Sequence, residues 1–474
     1  MIKVIIFGGT TEGRELAGFC ARYQVPALVC VASEYGSQML PEHSCLSIHT
    51  GKLNEPGMLK LIRGYRPELV IDATHPYAGL VTDTVNHTCR TLGIPCLRVL
   101  RGAGAWQNDP GKPDSQITTV TDAAEAAAFL KNTVGKILLT TGSKELELFM
   151  QIPDSQERIY ARVLPDSRIM AACEQLGIKG RRLIGMQGPF SPAMNRAVLE
   201  ETKARWLVTK ESGAAGGFAE KIQAAQSLGV SVVVIGRPRK EHGISLEAAK
   251  RMLVPYGIRP PCRLSLIGMG MGGGRQLTVE GLEALKKSQV LLGAKRLLTD
   301  AAPWAGAKPA VSIYRGEDIL SWIQEHPEYD CVGVVYSGDT GFYSASQSLI
   351  RAAGVFDGKL NVHICPGIST VSCLCARLHT SWEDVALQSL HGRDGDVIEL
   401  LGRHRRVFLL LGGEQPLKPL CRTLMEHGYE GIRMAAGERL GYPDERILKG
   451  TPEQLAAVAT DTLIAVLLEQ EGEE

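Results

Sequence analysis

The chain has 474 residues, enough for about three domains at roughly 150 residues each, which excludes a single small module. Hydrophobic residues at 44% and charged residues at 22% match the globular norm and exclude pervasive disorder. Lys and Arg total 52 against 51 Asp and Glu, so a net charge of +1 leaves no global basic field for nucleic acid, and 5% aromatics supplies no base-stacking platform.

The first segment, KVIIFGG (3–9), reads as a buried strand, and it carries no cleavable signal pattern. No apolar run approaches the roughly 18 residues that cross a bilayer, so no membrane partner is expected. The twelve cysteines are scattered; Cys373 and Cys375 form a CxC, but no CxxC pair occurs. Such thiols fit a buried, reduced role in a cytoplasmic protein better than a disulfide framework or a zinc site.

From 4 to 17 the order is strand, glycine turn, helix (VIIFGGTTEGRELA). Gly8 and Gly13 fit the first and third positions of a dinucleotide fingerprint, Gly9 lies between them, and Thr10 replaces the middle glycine. Thr10 or Thr11 can cap the helix, whose start exposes backbone N–H groups to an anion such as a pyrophosphate. The next strand, ALVCVAS (27–33), leads to Glu34, placed to accept from an adenosine ribose; with no arginine beside it, NADH is favoured over NADPH. The strand LVIDATH (69–75) ends at a rim bearing Asp72, Thr74, His75 and Tyr77, where His75 is either a ligand-facing proton donor or a structural histidine. A polar stretch, 108–116, then separates two runs of strands.

The second run (136–142, 161–165, 205–213 and 230–236) places Lys144, Arg162, Lys210 and Arg237 at or just past strand ends, a pattern suited to a polyanionic ligand. Repeated strand–helix alternation predicts parallel sheets with crossover helices, hence an α/β fold. The segments GGTTEGRELA, DATHPYA, GPFS and TKESGAAGGFAEKIQAA resemble the precorrin-6A reductase family of cobalamin biosynthesis, including its cobalt-precorrin branch, over about 1–255. That resemblance implies two Rossmann-like domains enclosing a nicotinamide cofactor and a carboxylate-fringed macrocycle. On this reading the rim residues His75 and Tyr77, with Lys210, are the catalytic candidates, and the strand-end cations Lys144, Arg162, Lys210 and Arg237 hold the ring's carboxylates. NADPH-using relatives tend to carry an arginine where this chain has Glu34 and Tyr35, which leaves NADH and NADPH both open.

PYGIRPPC (255–262) holds three prolines and a glycine and can continue neither helix nor central strand. The expected organisation is therefore 1–256 (subdomains about 1–110 and 111–256), a linker at 257–262, and a second enzyme at 263–474. Beyond the linker, RLSLIGMGMGGGRQLT (263–278) is again strand, glycine turn, helix, but its five glycines, including Gly268 and Gly270, overshoot a dinucleotide fingerprint. SGDTGFYS (337–344), PGIST (366–370) and LQSLHGR (387–393) complete a set that resembles the tetrapyrrole methyltransferase family, in its precorrin-7 carbon-5 branch. The resemblance implies two α/β subdomains and S-adenosylmethionine in a cleft lined by Gly338, Asp339, Thr340, Phe342 and Tyr343. Pro366, Gly367, Ile368 and Ser369 fall near the adenosine end. Gly268, Gly270 and Arg393 would face the macrocycle, and His391 is either a residue that orients substrate or accepts a proton, or a structural histidine. His363 and Cys365 share a strand face, but two residues fall short of a metal site and read as packing.

The combined expectation is a bifunctional corrin-ring enzyme using NADH or NADPH and S-adenosylmethionine, with tetrapyrrole substrates, no nucleic acid, no resident metal, and a homodimer by family habit. The family's pathway puts a decarboxylating methylation at carbon 15 between the two steps, so a separate partner enzyme is expected. Two other readings stay open: a non-catalytic dinucleotide sensor fused to a ligand-binding module, and a methyltransferase for another precorrin carbon or ribosomal RNA.

Overall fold

The computed structural model describes residues 1–76, 78–100, 116–211, 217–236, 242–354, 359–391, 395–460, 462 and 464–471. Tyr77, Arg237 and Arg393 lie outside the described residues. The chain divides into two compact units, 1–258 and 259–474. Among the described residues no helix is long and apolar enough to cross a membrane.

The first unit carries two parallel sheets. One is built from β1 (Val4–Phe7), β2 (Ala27–Val31), β3 (Leu46–Thr50), β4 (Leu69–Asp72) and β5 (Cys96–Arg98), in the order β3-β2-β1-β4-β5. Every residue of β1 is buried. Val4 and Ile6 pack against Leu16 and Phe19 on one face, while Ile5 and Phe7 meet Met58, Ile62 and Val85 on the other. Side chains alternate across a strand, so covering both faces with helices demands this continuous apolar run. The strand order reverses between β1 and β4, and open α/β sheets take ligands at that reversal, outside the carboxyl ends.

The other sheet comprises β6 (Ile117–Val120), β7 (Lys136–Leu139), β8 (Ile159–Val163), β9 (Leu183–Gly185), β10 (Ala204–Lys210) and β11 (Ser231–Ile235), in the order β6-β11-β10-β7-β8-β9. Its reversal lies between β7 and β10. Each sheet of this unit therefore has one such crevice, and the loops after β1, β4, β7 and β10 flank them.

The second unit also carries two sheets. β12 (Cys262–Gly268), β13 (Val290–Gly293), β14 (Ala310–Val311), β15 (Cys331–Tyr336) and β16 (Leu360–Cys365) form a parallel sheet, β14-β13-β15-β12-β16. This order sets the carboxyl ends of β15, β12 and β16 side by side. β17 (Val385–Ser389), β18 (Arg406–Leu411), β19 (Arg433–Glu438), β20 (Arg446–Gly450) and β21 (Ile464–Glu469) form the last sheet, β17-β18-β21-β19-β20. Here the expectation of parallel pairing fails: β18–β21, β19–β20 and β19–β21 are antiparallel. β19 and β20 are joined by a short loop without a helix, and only a crossover connection can make neighbours parallel. The α/β class itself holds throughout.

Candidate active sites

In the first unit the turn after β1 is shaped by one close approach. A Cβ on Gly13 would stand 2.9 Å from the Cα of Gly8, so glycine at 13 lets the helix Thr11–Arg22 sit directly against the end of β1. Thr10 caps that helix, its Oγ1 accepting from Gly13 N at 3.2 Å and donating to Ala73 O at 2.8 Å, which ties the turn to the loop after β4. Gly9 has φ +113° and open space where a Cβ would be, leaving the backbone bare at the helix start. Thr11 accepts from Arg14 on the first turn. Glu34 stands exposed in the first turn of the helix Glu34–Gln38, and the neighbouring Tyr35 hydroxyl accepts a hydrogen bond from Gln187 of the second sheet's loops.

Across the reversal, Asp72 is fully buried and paired with buried Arg98 at 3.0 Å. Asp72 Oδ1 also accepts from the Thr74 amide at 3.0 Å and hydroxyl at 2.7 Å, bracing the loop that carries exposed His75.

At the second reversal Lys210, ending β10, meets Glu145 after β7 at 2.6 Å. Lys144 is exposed beside this pair. Arg162 is not a surface cation: it is only 8% exposed, its Nη1 donates to Asn195 Oδ1 at 2.9 Å, and its guanidinium lies over Phe190 at 4.8 Å. Asn195 in turn donates to the carbonyls of Phe190 and Ser191, so the GPFS loop is pinned to the arginine. Burial pushes the Arg162 guanidinium down to about 10. Lys221 nearby is pushed down to about 8, first by burial and then by the charge of Arg162, against the opposing pull of Glu220. Arg162 and Lys221 thus lie close enough for each charge to be felt by the other. His75 belongs to the other sheet's rim, whereas Lys144, Arg162 and Lys210 occupy adjacent strand ends of this one.

In the second unit the three adjacent loops converge. Gly270 and Gly338 exchange backbone hydrogen bonds, N to O at 3.1 and 3.0 Å. Gly367 N donates to Asp339 Oδ1 at 3.2 Å. A Cβ on Gly268 would stand 2.6 Å from Gly367 N and 2.9 Å from Gly338 O, so these backbones meet where no side chain fits. Thr340 is buried and its carbonyl accepts from Ser346 Oγ; Ser369 caps the helix Thr370–Leu378; Pro366 O accepts from Thr278 at 3.2 Å, and Ile368 is exposed.

Beside this junction lies a cavity of about 420 Å³. Its walls include the turn Met269–Gly274, Phe342, Tyr343, Thr370 and His391, so the structure brings the first loop, the aromatic pair and His391 to one space. Tyr343 is held by its hydroxyl donating to Leu387 O at 2.8 Å, and exposed His391 packs against Gly412.

Residues 3–253 match the family profile "Precorrin-6x reductase CbiJ/CobK". The chain belongs to the precorrin-6x reductase family. Residues 263–456 match "Tetrapyrrole (Corrin/Porphyrin) Methylases". The cobalt-precorrin-6A reductase of Priestia megaterium is 31% identical over 242 residues, covering 51% of this chain and 92% of that protein. The precorrin-6A reductase of Mycobacterium tuberculosis H37Rv is 30% identical over 249 residues, covering 52% and 93%. Among solved structures, CobK precorrin-6A reductase is 25% identical with TM-score 0.44, covering 54% of this chain and 98% of its own. The precorrin-6Y methylase CbiE of Archaeoglobus fulgidus is 23% identical with TM-score 0.35, covering 44% and 98%. The chain thus joins a precorrin reductase region to a tetrapyrrole methyltransferase region, a bifunctional enzyme of cobalamin biosynthesis.

Sequence reasoning passed over several residues at both sites. In the reductase region these are Asn195, Glu145 and Lys221; Lys221 lies inside the quoted TKESGAAGGFAEK motif, but on a helix rather than at a strand end. In the methyltransferase region they are Arg296, Asp300, Arg439 and Tyr442, all lining the cavity. The Tyr442 hydroxyl donates to Asp300 Oδ2 at 2.9 Å and accepts from Arg296, while the Arg439 guanidinium lies 5.0 Å from the ring centre. No local pattern marks these four, because they meet only through the tertiary fold.

Proposed function

We propose that the first unit reduces precorrin-6A or its cobalt form with NADH or NADPH, and that the second methylates carbon 5 of precorrin-7 or its cobalt form from S-adenosylmethionine. The observation that carries the first half is the Gly8–Gly13 approach beside the Thr10 cap, which sets a helix N-terminus directly at the end of β1, where a pyrophosphate is favoured. Residues 8–13 would hold the dinucleotide, with Glu34 at the ribose. The bound nicotinamide supplies a hydride for one electrophilic ring carbon. Arg162 and Lys221, with Lys144 and Lys210 beside them, bind and orient the carboxylates; His75 is the residue assigned to hold a proton at the other rim.

For the second half, the close approach of Gly268, Gly338 and Gly367 fixes three loops side by side, and the cavity that adjoins them supports room for the donor and part of a macrocycle edge. A sulfonium supplies an already activated methyl group, so alignment dominates over acid–base machinery. Phe342 and Tyr343 would position the donor, and His391 would orient the acceptor or take up its proton. Twelve free thiols fit a reducing cytosolic setting.

The test supplies precorrin-6A with each nicotinamide cofactor, and separately precorrin-7 with labelled S-adenosylmethionine. Loss of reduced-nicotinamide absorbance with a two-hydrogen mass gain, and label at carbon 5 by NMR, are the expected results. Binding without turnover would instead favour a sensor, and label at another carbon would reassign the methyltransferase.

A further inference from the structure

The end of β16 carries a feature that neither activity uses. His363 and Cys365 point to the same face of this edge strand, two residues apart. On sequence alone that pair reads as packing. The fold brings a third donor to it: Glu280, in the first turn of the helix Val279–Lys287. One ligand atom from each of the three residues lies within 4.8 Å of the other two, and His363 Nε2 stands 3.1 Å from Glu280 Oε1.

We propose that Glu280, His363 and Cys365 bind a borderline divalent cation, with Zn²⁺ preferred. The donor set decides the class: imidazole, thiolate and carboxylate together suit zinc, whereas Ca²⁺ and Mg²⁺ take oxygen ligands alone. Tetrahedral zinc with bonds of about 2.0–2.3 Å sets its ligand atoms about 3.5 Å apart, so closing the cluster takes a shift of about 1 Å, within reach of side-chain rotation. The thiol proton leaves to solvent as the sulfur binds. Three protein ligands leave one tetrahedral position for water.

The backbones carrying these donors are already fixed. His363 and Cys365 are held in parallel register with Ser265 and Ile267 of β12. The helix bearing Glu280 is capped by Thr278, which accepts from Gly281 N at 3.0 Å and donates to Pro366 O at 3.2 Å, directly after Cys365. Burial grades from enclosed Cys365 through half-buried His363 to exposed Glu280, which gives the ion a way in from solvent. A bound cation would fasten the helix start to the edge strand and stiffen the 366–369 loop. The inference stands on these three residues and does not require the methyl transfer proposed above.

The test uses the full chain, stripped with chelator and titrated with Co²⁺ as a spectroscopic substitute, then with Zn²⁺ in competition. Saturation near one equivalent is expected, with a thiolate-to-cobalt charge-transfer band and the visible spectrum of a four-coordinate ion. Cys365→Ser should lose the charge-transfer band. His363→Gln and Glu280→Gln, both at accessible positions, should weaken binding by at least about tenfold, the scale of losing even a supporting contact at a metal. Zn²⁺ should raise the melting temperature of the wild-type chain but not of His363→Gln. Absence of the band overturns the proposal. So does a band that survives in His363→Gln and Glu280→Gln with unchanged affinity, because the ion would then sit on another of the twelve cysteines. If Cys365→Ser does not fold, those two variants decide alone.

Discussion

Gly268 and Gly367 meet backbone to backbone, so that a Cβ on Gly268 would stand 2.6 Å from Gly367 N. Neither backbone can retreat: β12 and β16 are locked in register up to Ile267 and Cys365. Gly268→Ala is expected to cost about 1–3 kcal/mol of local packing and to weaken S-adenosylhomocysteine binding by about tenfold or more. Calorimetric titration measures this. The hydride activity of the same protein should be unchanged, since 268 lies in the other compact unit.

The matching position in the reductase region is Gly13, whose Cβ would stand 2.9 Å from Gly8 Cα. Gly13→Ala must push the helix Thr11–Arg22 away from β1, and with it the N–H groups offered to an anion. Nicotinamide cofactor affinity should fall about tenfold or more, on the same overpacking scale of about 1–3 kcal/mol. Thr10→Ala removes the cap and should cost about 1 kcal/mol. Fluorescence titration with NADH and NADPH reads both variants and also ranks the two cofactors.

Asp72 and Arg98 make a buried pair at 3.0 Å beneath the loop carrying His75. Arg98→Met strands a buried carboxylate and should cost about 3–5 kcal/mol, whereas Asp72→Asn combined with Arg98→Met should recover a large part of that loss. Hydrogen exchange across 69–98 in increasing urea is the measurement. If the double variant is no better than the single one, the pair is not the source of the loss.

Much of this architecture is legible in the sequence, and the reason is local. An apolar run ending in glycine, a capping threonine and an amphipathic stretch act within about ten residues, and such signals survive whatever the rest of the chain does. Gly13 and Gly367 were readable for that reason. The antiparallel pairing of β18 to β21 was not, because strand direction depends on which connection lacks a crossover. Glu280 beside His363, and Tyr442 between Arg296 and Arg439, escape notice because residues distant in sequence create them. Arg162 reads in the sequence as one of four strand-end cations, yet it is buried on Asn195, an environment that only packing creates.

Lys221 gives the surroundings of Arg162 a pH dependence. Its ammonium is pushed from 10.5 down to about 8, mainly by burial. A lysine whose folded pKa lies below its unfolded value penalises the fold where both states are charged, below pH 8. The penalty shrinks as pH rises from about 8 towards 10.5, because the unfolded state then binds more protons. The stability advantage of Lys221→Met should therefore be largest at neutral pH and fade above pH 8. Carboxylate binding should weaken over the same rise, as the charge is lost. Amine-selective labelling read by peptide mass should show Lys221 reacting with a midpoint near 8; a midpoint near 10.5 would remove the effect.

Tyr442 is gripped from two sides, by Arg296 at its hydroxyl and by Arg439 over its ring, with Asp300 accepting a hydrogen bond from the hydroxyl at 2.9 Å. All four line the cavity together with Phe342 and His391. A macrocycle fringed with carboxylates would exchange into this network, taking hydrogen bonds from guanidinium groups that now serve Asp300 and Asp444. Arg296→Met should therefore raise KM for the tetrapyrrole about tenfold, in line with losing one charge-assisted hydrogen bond of about 1.5–3 kcal/mol. The Kd for S-adenosylmethionine should change little. Tyr442→Phe keeps the ring beneath Arg439 but drops the link to Asp300, so it should give a smaller rise in KM and the same cofactor Kd. Steady-state kinetics paired with cofactor titration separates the two effects. An equal loss of cofactor affinity in both variants would place the macrocycle elsewhere.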